Sequence, residues 1–214
     1  SSTVELRWAL IMAVARDIPG EDRRTREGVW QHTVPMLLED STIGILGLGR
    51  IGQRIAALAT AFGMTVVAWS ENLTPESAAA HGAELVSKRD LFERSDILTI
   101  HTLLSHRTRG LVGATDLELL GPAGYLVNTS RGPIVDEGAL VAALRGGVIA
   151  GAGYPECILP SQYPDFYARI RALAELLGTY GVVGEFTAFT SCIPLMPNRD
   201  DQVRHWERTQ DCLR

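Results

Sequence analysis

Residues 42–52 read TIGILGLGRIG, and this stretch decides the fold. Its first half, Thr42 to Leu46, is rich in the β-branched and aliphatic residues that are typical of a buried strand. Three glycines then stand at positions 47, 49 and 52, and from Ile51 onward apolar residues recur at helical spacing, at Ile51, Ile55, Leu58 and Phe62. The stretch therefore predicts a strand, a glycine-rich turn, and a helix from Ile51 to Phe62.

The spacing of the three glycines suits a turn that binds the pyrophosphate of a dinucleotide. Gly47 permits the tight turn, Gly49 lets the backbone approach a phosphate with no Cβ in the way, and Gly52 lets helix and strand pack closely. The phosphates would meet the free N–H groups and positive dipole of the helix N-terminus. A glycine-rich turn that binds nothing is the alternative, but the position of this turn between strand and helix favours the dinucleotide site.

The end of the next strand bears on which dinucleotide is bound. An acidic residue is expected there, about 20 residues after the glycines, to bind the adenosine ribose. Here Ser70 takes that position and Glu71 follows it. No Lys or Arg lies between Trp69 and His81 to hold a 2′-phosphate, which Glu71 would repel. We therefore expect NAD, with NADP as an alternative; a Glu71 that is merely solvated stays open.

Further along, short β-rich runs alternate with helical stretches, which is typical of a parallel sheet with helices on both faces. One helix is predicted to begin after Asp136 and to end at Gly146, because Asp caps helix N-termini and Gly follows their C-termini. We expect an α/β, Rossmann-type doubly wound parallel sheet. Its strands are predicted at Thr42 to Leu46, Thr65 to Trp69, Glu84 to Val86, Ile97 to His101, Tyr125 to Asn128 and Ile149 to Ala152.

The chain divides into four segments. Residues 1–40 are predicted to be a connector helix and a solvated arm, and residues 41–153 the dinucleotide-binding domain. Residues 154–178 are predicted to form a C-terminal helix, and residues 179–214 lack any period and form a divergent, poorly specified tail. The apolar run after Arg7 resembles a signal peptide in part, but its helical period of Val4, Trp8, Ile11 and Ala15 favours an amphipathic helix.

Composition excludes several classes of function. The net charge is −5 and no basic face is apparent, which argues against nucleic-acid binding. Three cysteines without CxxC spacing argue against a disulfide framework or a metal site, so we expect a reducing cytoplasm. No run of about 18 apolar residues occurs, so no membrane partner is expected.

Several motifs, in this order along the chain, resemble those of the D-isomer-specific 2-hydroxyacid dehydrogenases. The resemblance extends from residue 1 to about residue 153. It rests on residues 42–52, Ser95-Asp96-Ile97 with His101, Thr108-Arg109-Gly110-Leu111, Leu126-Val127-Asn128-Thr129-Ser130-Arg131-Gly132, and Val135-Asp136-Glu137 with Ala139-Leu140.

The resemblance implies an oxidoreductase that moves hydride between nicotinamide and a small 2-hydroxy or 2-keto acid. Arg131 inherits the role of the arginine that binds the substrate carboxylate, although a structural ion pair with Asp136 or Glu137 is the alternative. The cofactor contacts implied, together with the three glycines and Glu71, are Arg50, Ile51, Ser70, Thr102, Thr108, Thr129 and Ser130.

The sequence departs from the family pattern on both sides of this region. The family's substrate domain would precede the connector helix, and Ser1 stands at that connector. Glu156 is the candidate for the family's catalytic Glu, but the catalytic His is not found near it. We therefore expect the chain alone to be inactive. A non-catalytic dinucleotide-binding protein and an inactive truncated fragment are the alternatives, and a homodimer stays open.

Overall fold

The computed structural model describes residues 2–29 and 34–153. Within these ranges the strands are β1 (Thr42–Leu46), β2 (Thr65–Trp69), β3 (Glu84–Leu85), β4 (Ile97–Ile100), β5 (Tyr125–Asn128) and β6 (Gly151–Gly153). The helices are α1 (Ser2–Ala15), α2 (Ile18–Arg26), α3 (Arg50–Ala61), α4 (Pro75–Ala79), α5 (Lys88–Arg94), α6 (Ala114–Leu120) and α7 (Glu137–Arg145).

The six strands form one parallel sheet in the order β3-β2-β1-β4-β5-β6. The order reverses direction next to β1, which pairs with β2 on one side and β4 on the other. Because all strands are parallel, their carboxyl ends meet at one edge, where α/β sheets bind ligands. The predicted α/β, doubly wound architecture is confirmed.

Each face of the sheet has its own apolar core, because successive side chains of a strand point to opposite faces. Ile43 and Ile45 of β1 pack with α1 and α3, while Leu46 packs with α5 and α7. Strands buried on both faces explain the near-continuous apolar runs of the sequence.

The motif around Asp96 has a structural role in this sheet. Its carboxylate accepts a hydrogen bond of 2.8 Å from the backbone N–H of Thr42, which joins the start of β4 to the start of β1. The preceding residue, Ser95, is buried and donates its hydroxyl to the carbonyl of Leu91 in α5. The motif thus fixes the register of the two central strands.

Predicted strands agree with the structure for β1, β2 and β5, and β3 and β4 are each one residue shorter than predicted. The last strand was placed wrongly, since β6 begins at Gly151 and not at Ile149. Gly147 adopts a positive φ of 65°, and the chain is still turning at Ile149, so pairing with β5 starts only opposite Tyr125.

Both predicted helices of the sheet region are confirmed, with a one-residue shift for α3. Asp136 caps α7, because its side chain accepts a hydrogen bond of 2.9 Å from the N–H of Ala139. Helices α4, α5 and α6 were not predicted, although Thr74 and Ser87 cap the first two. These helices have five to seven residues, too few to show a clear apolar period.

The N-terminal helix is confirmed, but its predicted apolar stripe was too narrow. Leu10 and Val14 are buried as well as Val4, Ile11 and Ala15. Conversely, Trp8 is only half-buried and contacts the ring of Phe62 at a centroid distance of 5.0 Å. The reason is that α1 packs against the sheet at β5 and β6 and also against α2 and α3.

Helix α2, which was not predicted, follows α1 and exposes Asp22, Arg23 and Arg26. The predicted helix of residues 154–178 and the tail of residues 179–214 lie outside the described residues, so the division into four segments stays a prediction. Among the described residues, no helix is long and apolar enough to cross a membrane.

Candidate functional site

The turn between β1 and α3 depends on two close backbone approaches. Gly47 has a φ of 104°, and a Cβ at this residue would lie 2.9 Å from the backbone nitrogen of Thr102. A Cβ at Gly52 would lie 2.4 Å from the carbonyl oxygen of Gly47 and 3.1 Å from Cγ2 of Ile45. Only glycine fits either position, so α3 begins directly at the carboxyl edge of β1.

Gly49, unlike Gly47 and Gly52, has open space beside its Cα, since a Cβ built on it meets no atom within 4 Å. It precedes the first residue of α3, and no side chain caps this helix. The first N–H groups of an uncapped helix lack partners and favour an anion. The open space beside the Cα of Gly49 and the uncapped N-terminus of α3 therefore fit a pyrophosphate. Arg50, which is exposed, and Ile51, which is half-buried, begin the helix at this point.

Ser70 and Glu71 follow β2 at the same edge of the sheet. Ser70 is half-buried and its carbonyl accepts a hydrogen bond of 3.1 Å from Leu73. The side chain of Glu71 is 65% exposed. Arg107, from the loop after β4, brings Nη1 to 3.6 Å from Oε2 of Glu71. This cation lies outside residues 69–81, because the parallel sheet brings it to Glu71 from a distant part of the chain.

The loop after β4 holds two predicted cofactor contacts. Thr108 donates its hydroxyl to the carbonyl of Leu103 at 2.6 Å and accepts from the N–H of Ser105 at 2.7 Å. Its side chain therefore orders the loop. Thr102 is half-buried, and its backbone lies beside Gly47. A cofactor contact at either residue stays a prediction.

The loop after β5, residues 128–131, is tied to itself and to β4. Asn128 donates Nδ2 to the carbonyl of Arg131 and accepts at Oδ1 from the N–H of Ser130, each at 3.0 Å. The Ser130 hydroxyl donates to the carbonyl of Ile100 at 2.9 Å. These bonds hold the loop at the carboxyl edge of the sheet.

Arg131 projects into solvent from this loop, and its Nη1 donates to the carbonyl of Ser130 at 2.7 Å. The alternative of a structural ion pair finds no support in the described part of the chain. Asp136 is used as the cap of α7, and no ion pair between Arg131 and Glu137 is present in that part. The guanidinium is thus available to a carboxylate.

Arg7 is a site residue that sequence reasoning missed. It lies on α1, is only 5% exposed, and contacts Thr129 twice: Nε donates to the Thr129 hydroxyl and Nη2 donates to the Thr129 carbonyl at 2.8 Å. Burial, together with the charge of Arg131, lowers the pKa of Arg7 to about 10, so it stays charged at neutral pH. The helical spacing of Arg7 from Leu10 and Val14 could have revealed that it faces inward.

His101 follows β4 and lies with its Nε2 at 3.1 Å from the hydroxyl of Thr99. Burial and, to a smaller extent, the charge of Arg7 together lower the pKa of His101 to about 3. The imidazole is therefore neutral at pH 7 and does not serve as a proton donor. Glu156, the candidate for the family's catalytic Glu, lies outside the described residues.

The lowered pKa of His101 predicts a loss of stability in acid. In the unfolded chain this residue takes up a proton below about pH 6.5, whereas the folded protein resists protonation down to about pH 3. Stability from this residue is therefore full above pH 6.5 and is lost as the pH falls from 6.5 toward 3. Urea unfolding of a His101→Gln variant should show a weaker pH dependence in this window than the wild type. The exposed His106→Gln is the control, and equal pH dependence of all three proteins would contradict the prediction.

Comparison with known proteins gives the same family that the sequence motifs resemble. Residues 8–154 match the family described as D-isomer specific 2-hydroxyacid dehydrogenase, NAD binding domain. The glyoxylate reductase of Aeropyrum pernix is 46% identical over 160 residues, which cover 71% of this chain and 48% of that protein. The chain thus spans about half the length of that relative.

Solved structures give the same result. A phosphoglycerate oxidoreductase from Vibrio cholerae superposes with a TM-score of 0.67 at 34% identity, covering 71% of this chain and 50% of that one. The NAD complex of a D-isomer specific 2-hydroxyacid dehydrogenase from Lactobacillus delbrueckii superposes with a TM-score of 0.70 at 26% identity, covering 85% and 58%. The chain belongs to the D-isomer specific 2-hydroxyacid dehydrogenase family and carries its NAD binding domain.

Proposed function

We propose that this chain is the NAD-binding unit of an oxidoreductase that transfers hydride between C4 of nicotinamide and C2 of a small 2-hydroxy or 2-keto acid. The observation that carries the proposal is the shared edge of the sheet. The turn of residues 47–52 and the loop of residues 128–131 both open there, on either side of the reversal in strand order. In this proposal the pyrophosphate site and the site for the substrate carboxylate lie along one crevice.

In this proposal Arg131 binds the substrate carboxylate and polarises the carbonyl. An exposed guanidinium on a loop held by Asn128 and Ser130 has the fixed position that two-point capture of a carboxylate requires. Hydride from reduced nicotinamide would reduce the keto carbon, and the carbonyl oxygen would take its proton from an acid. Glu156 stays the sequence's candidate for the family's catalytic Glu.

NAD rather than NADP is the proposed cofactor. The exposed Glu71 carboxylate at the end of β2 would repel a 2′-phosphate. Arg107, 3.6 Å from that carboxylate, is a cation that a 2′-phosphate could use, and it keeps NADP as the alternative. The proposed location is the cytoplasm, which the cysteine pattern supports.

The cofactor site is tested with Gly49→Val. Because a Cβ at Gly49 meets no atom, the variant should fold as the wild type, while its side chain fills the space proposed for the pyrophosphate. Isothermal titration should show NADH binding to the wild type and at least about tenfold weaker binding to the variant. Gly113→Val is a control, since Gly113 also has open space and precedes the helix α6. Equal NADH affinity of wild type and Gly49→Val would refute the site.

A non-catalytic dinucleotide-binding protein, or an inactive fragment, is the second candidate. The supporting observation is that no His or Lys occurs between Arg107 and Arg204, so the chain lacks the usual proton donors in the region where the family carries them. A positioned acid contributes about 100- to 10,000-fold to such a reaction, and Arg131 does not release a proton.

We therefore expect the 214-residue chain to bind NADH without turning over 2-keto acids at an enzyme-like rate. Absorbance at 340 nm with glyoxylate and pyruvate measures this directly. Robust NADH oxidation that disappears in Arg131→Ala would show that another acid is present, and would favour the active enzyme over the non-catalytic binder.

A homodimer is also part of the proposal. Two large apolar side chains of the arm, Val34 and Leu37, are 99% and 69% exposed, and Ile18 of α2 is about half exposed. Such exposure on one arm favours a contact with a second copy. Sedimentation velocity should show a dimer that Val34→Glu/Leu37→Glu converts to a monomer. A wild type that stays monomeric at about 100 μM would contradict it.

A further inference from the structure

Helix α1 carries a buried cation, Arg7, that the proposed chemistry does not use. The Nε and Nη2 groups of Arg7 donate hydrogen bonds to Thr129. Its Nη1 is buried and makes no hydrogen bond within residues 2–29 and 34–153. No carboxylate of the described part of the chain forms an ion pair with it. Its charge is therefore buried, and no acid among the residues that the structure describes balances it.

The position of this charge along the crevice follows from the order of the strands. The pyrophosphate site follows β1, and Glu71, at the end of β2, marks the adenosine side. The dinucleotide continues across the reversal in strand order toward β4 and β5. Thr129, which Arg7 contacts, directly follows β5. With the dinucleotide bound along this crevice as proposed, the charge of Arg7 lies on the nicotinamide side of the site.

The two redox states of the cofactor differ in charge at that half. The nicotinamide ring carries one positive charge in NAD⁺ and none in NADH, while the phosphates and the adenosine are the same in both. A fixed cation beside the ring repels the oxidised form and leaves the reduced form unaffected. Water screens this repulsion less for a buried cation than for an exposed one.

We propose that Arg7 is a specificity residue for the redox state of the cofactor, favouring NADH over NAD⁺ at this site. The inference rests on the proposed function, since it requires NAD(H) to bind along the crevice. Arg131 carries the same charge but is exposed, so solvent screens it. His101, the other titratable group near Arg7, is neutral at pH 7 because burial lowers its pKa to about 3, and it adds no charge. Of these three groups, Arg7 is the charged one that the protein shields from water.

The two contacts to Thr129 give Arg7 a second, structural role that the test must separate from its charge. Loss of these contacts loosens the loop of residues 128–131 and weakens both forms of the cofactor alike. Loss of the charge changes the ratio of the two affinities. The ratio Kd(NAD⁺)/Kd(NADH) is therefore the readout that a merely structural role leaves unchanged.

The experiment measures both dissociation constants by isothermal titration for the wild type and three variants of the full chain. Arg7→Met keeps an apolar stem but removes the charge, and Arg7→Lys keeps the charge but loses the two-point contact. Arg89→Met is the matched control, because it removes one exposed guanidinium and changes the net charge equally. We expect the wild type to prefer NADH, and Arg7→Met to lower the ratio by about tenfold. Arg7→Lys and Arg89→Met should keep the ratio.

Several outcomes would overturn the inference. One is an unchanged ratio in Arg7→Met, and another is an equal fall in Arg89→Met, which would indicate net charge alone. If Arg7→Met does not fold by circular dichroism, Arg7→Gln replaces it. A wild type that binds NAD⁺ as tightly as NADH overturns the inference without any variant. A wild type that binds neither form contradicts the proposed function itself, which distinguishes the two failures.

Discussion

The absence of a side chain at Gly52 is the constraint on which the candidate site depends. Any other residue at position 52 would place its Cβ only 2.4 Å from the carbonyl oxygen of Gly47 and would push α3 away from β1. The close approach lets the helix begin at the carboxyl edge of the strand, beside the point where the strand order reverses. The uncapped N-terminus of α3 and the crevice are thereby brought to one place.

A second set of contacts holds the other side of the crevice. Asn128 closes its loop upon itself, and Ser130 ties it to the end of β4. Arg7 adds a contact from α1, a helix more than a hundred residues away in sequence. The loop that presents Arg131 is thus supported by the sheet on one side and by α1 on another. Support of this kind is what a residue needs if it is to hold a carboxylate in one orientation.

Sequence reasoning succeeded where the signal is local. The β1 strand, the glycine turn, α3 and the Asp136 cap each combine a period with a defined chemical role for glycine or a capping residue. Sequence reasoning misplaced the start of β6, because Gly151 and Gly153, which flank Ala152, have little preference for β-structure. It also failed for contacts made across the fold: Arg107 beside Glu71, and Arg7 beneath Thr129, join residues that no local window contains.

The central claim is that one ligand spans the crevice from the turn after β1 to the loop after β5. The most direct test is an NMR titration of the ¹⁵N-labelled chain with NADH, followed at each backbone amide. The account predicts the largest shifts at residues 48–52 and 129–131 together, saturating at the same NADH concentration. Amides of residues 146–148, in the turn between α7 and β6, should shift little. Shifts confined to only one of the two segments, or centred elsewhere, would contradict the account.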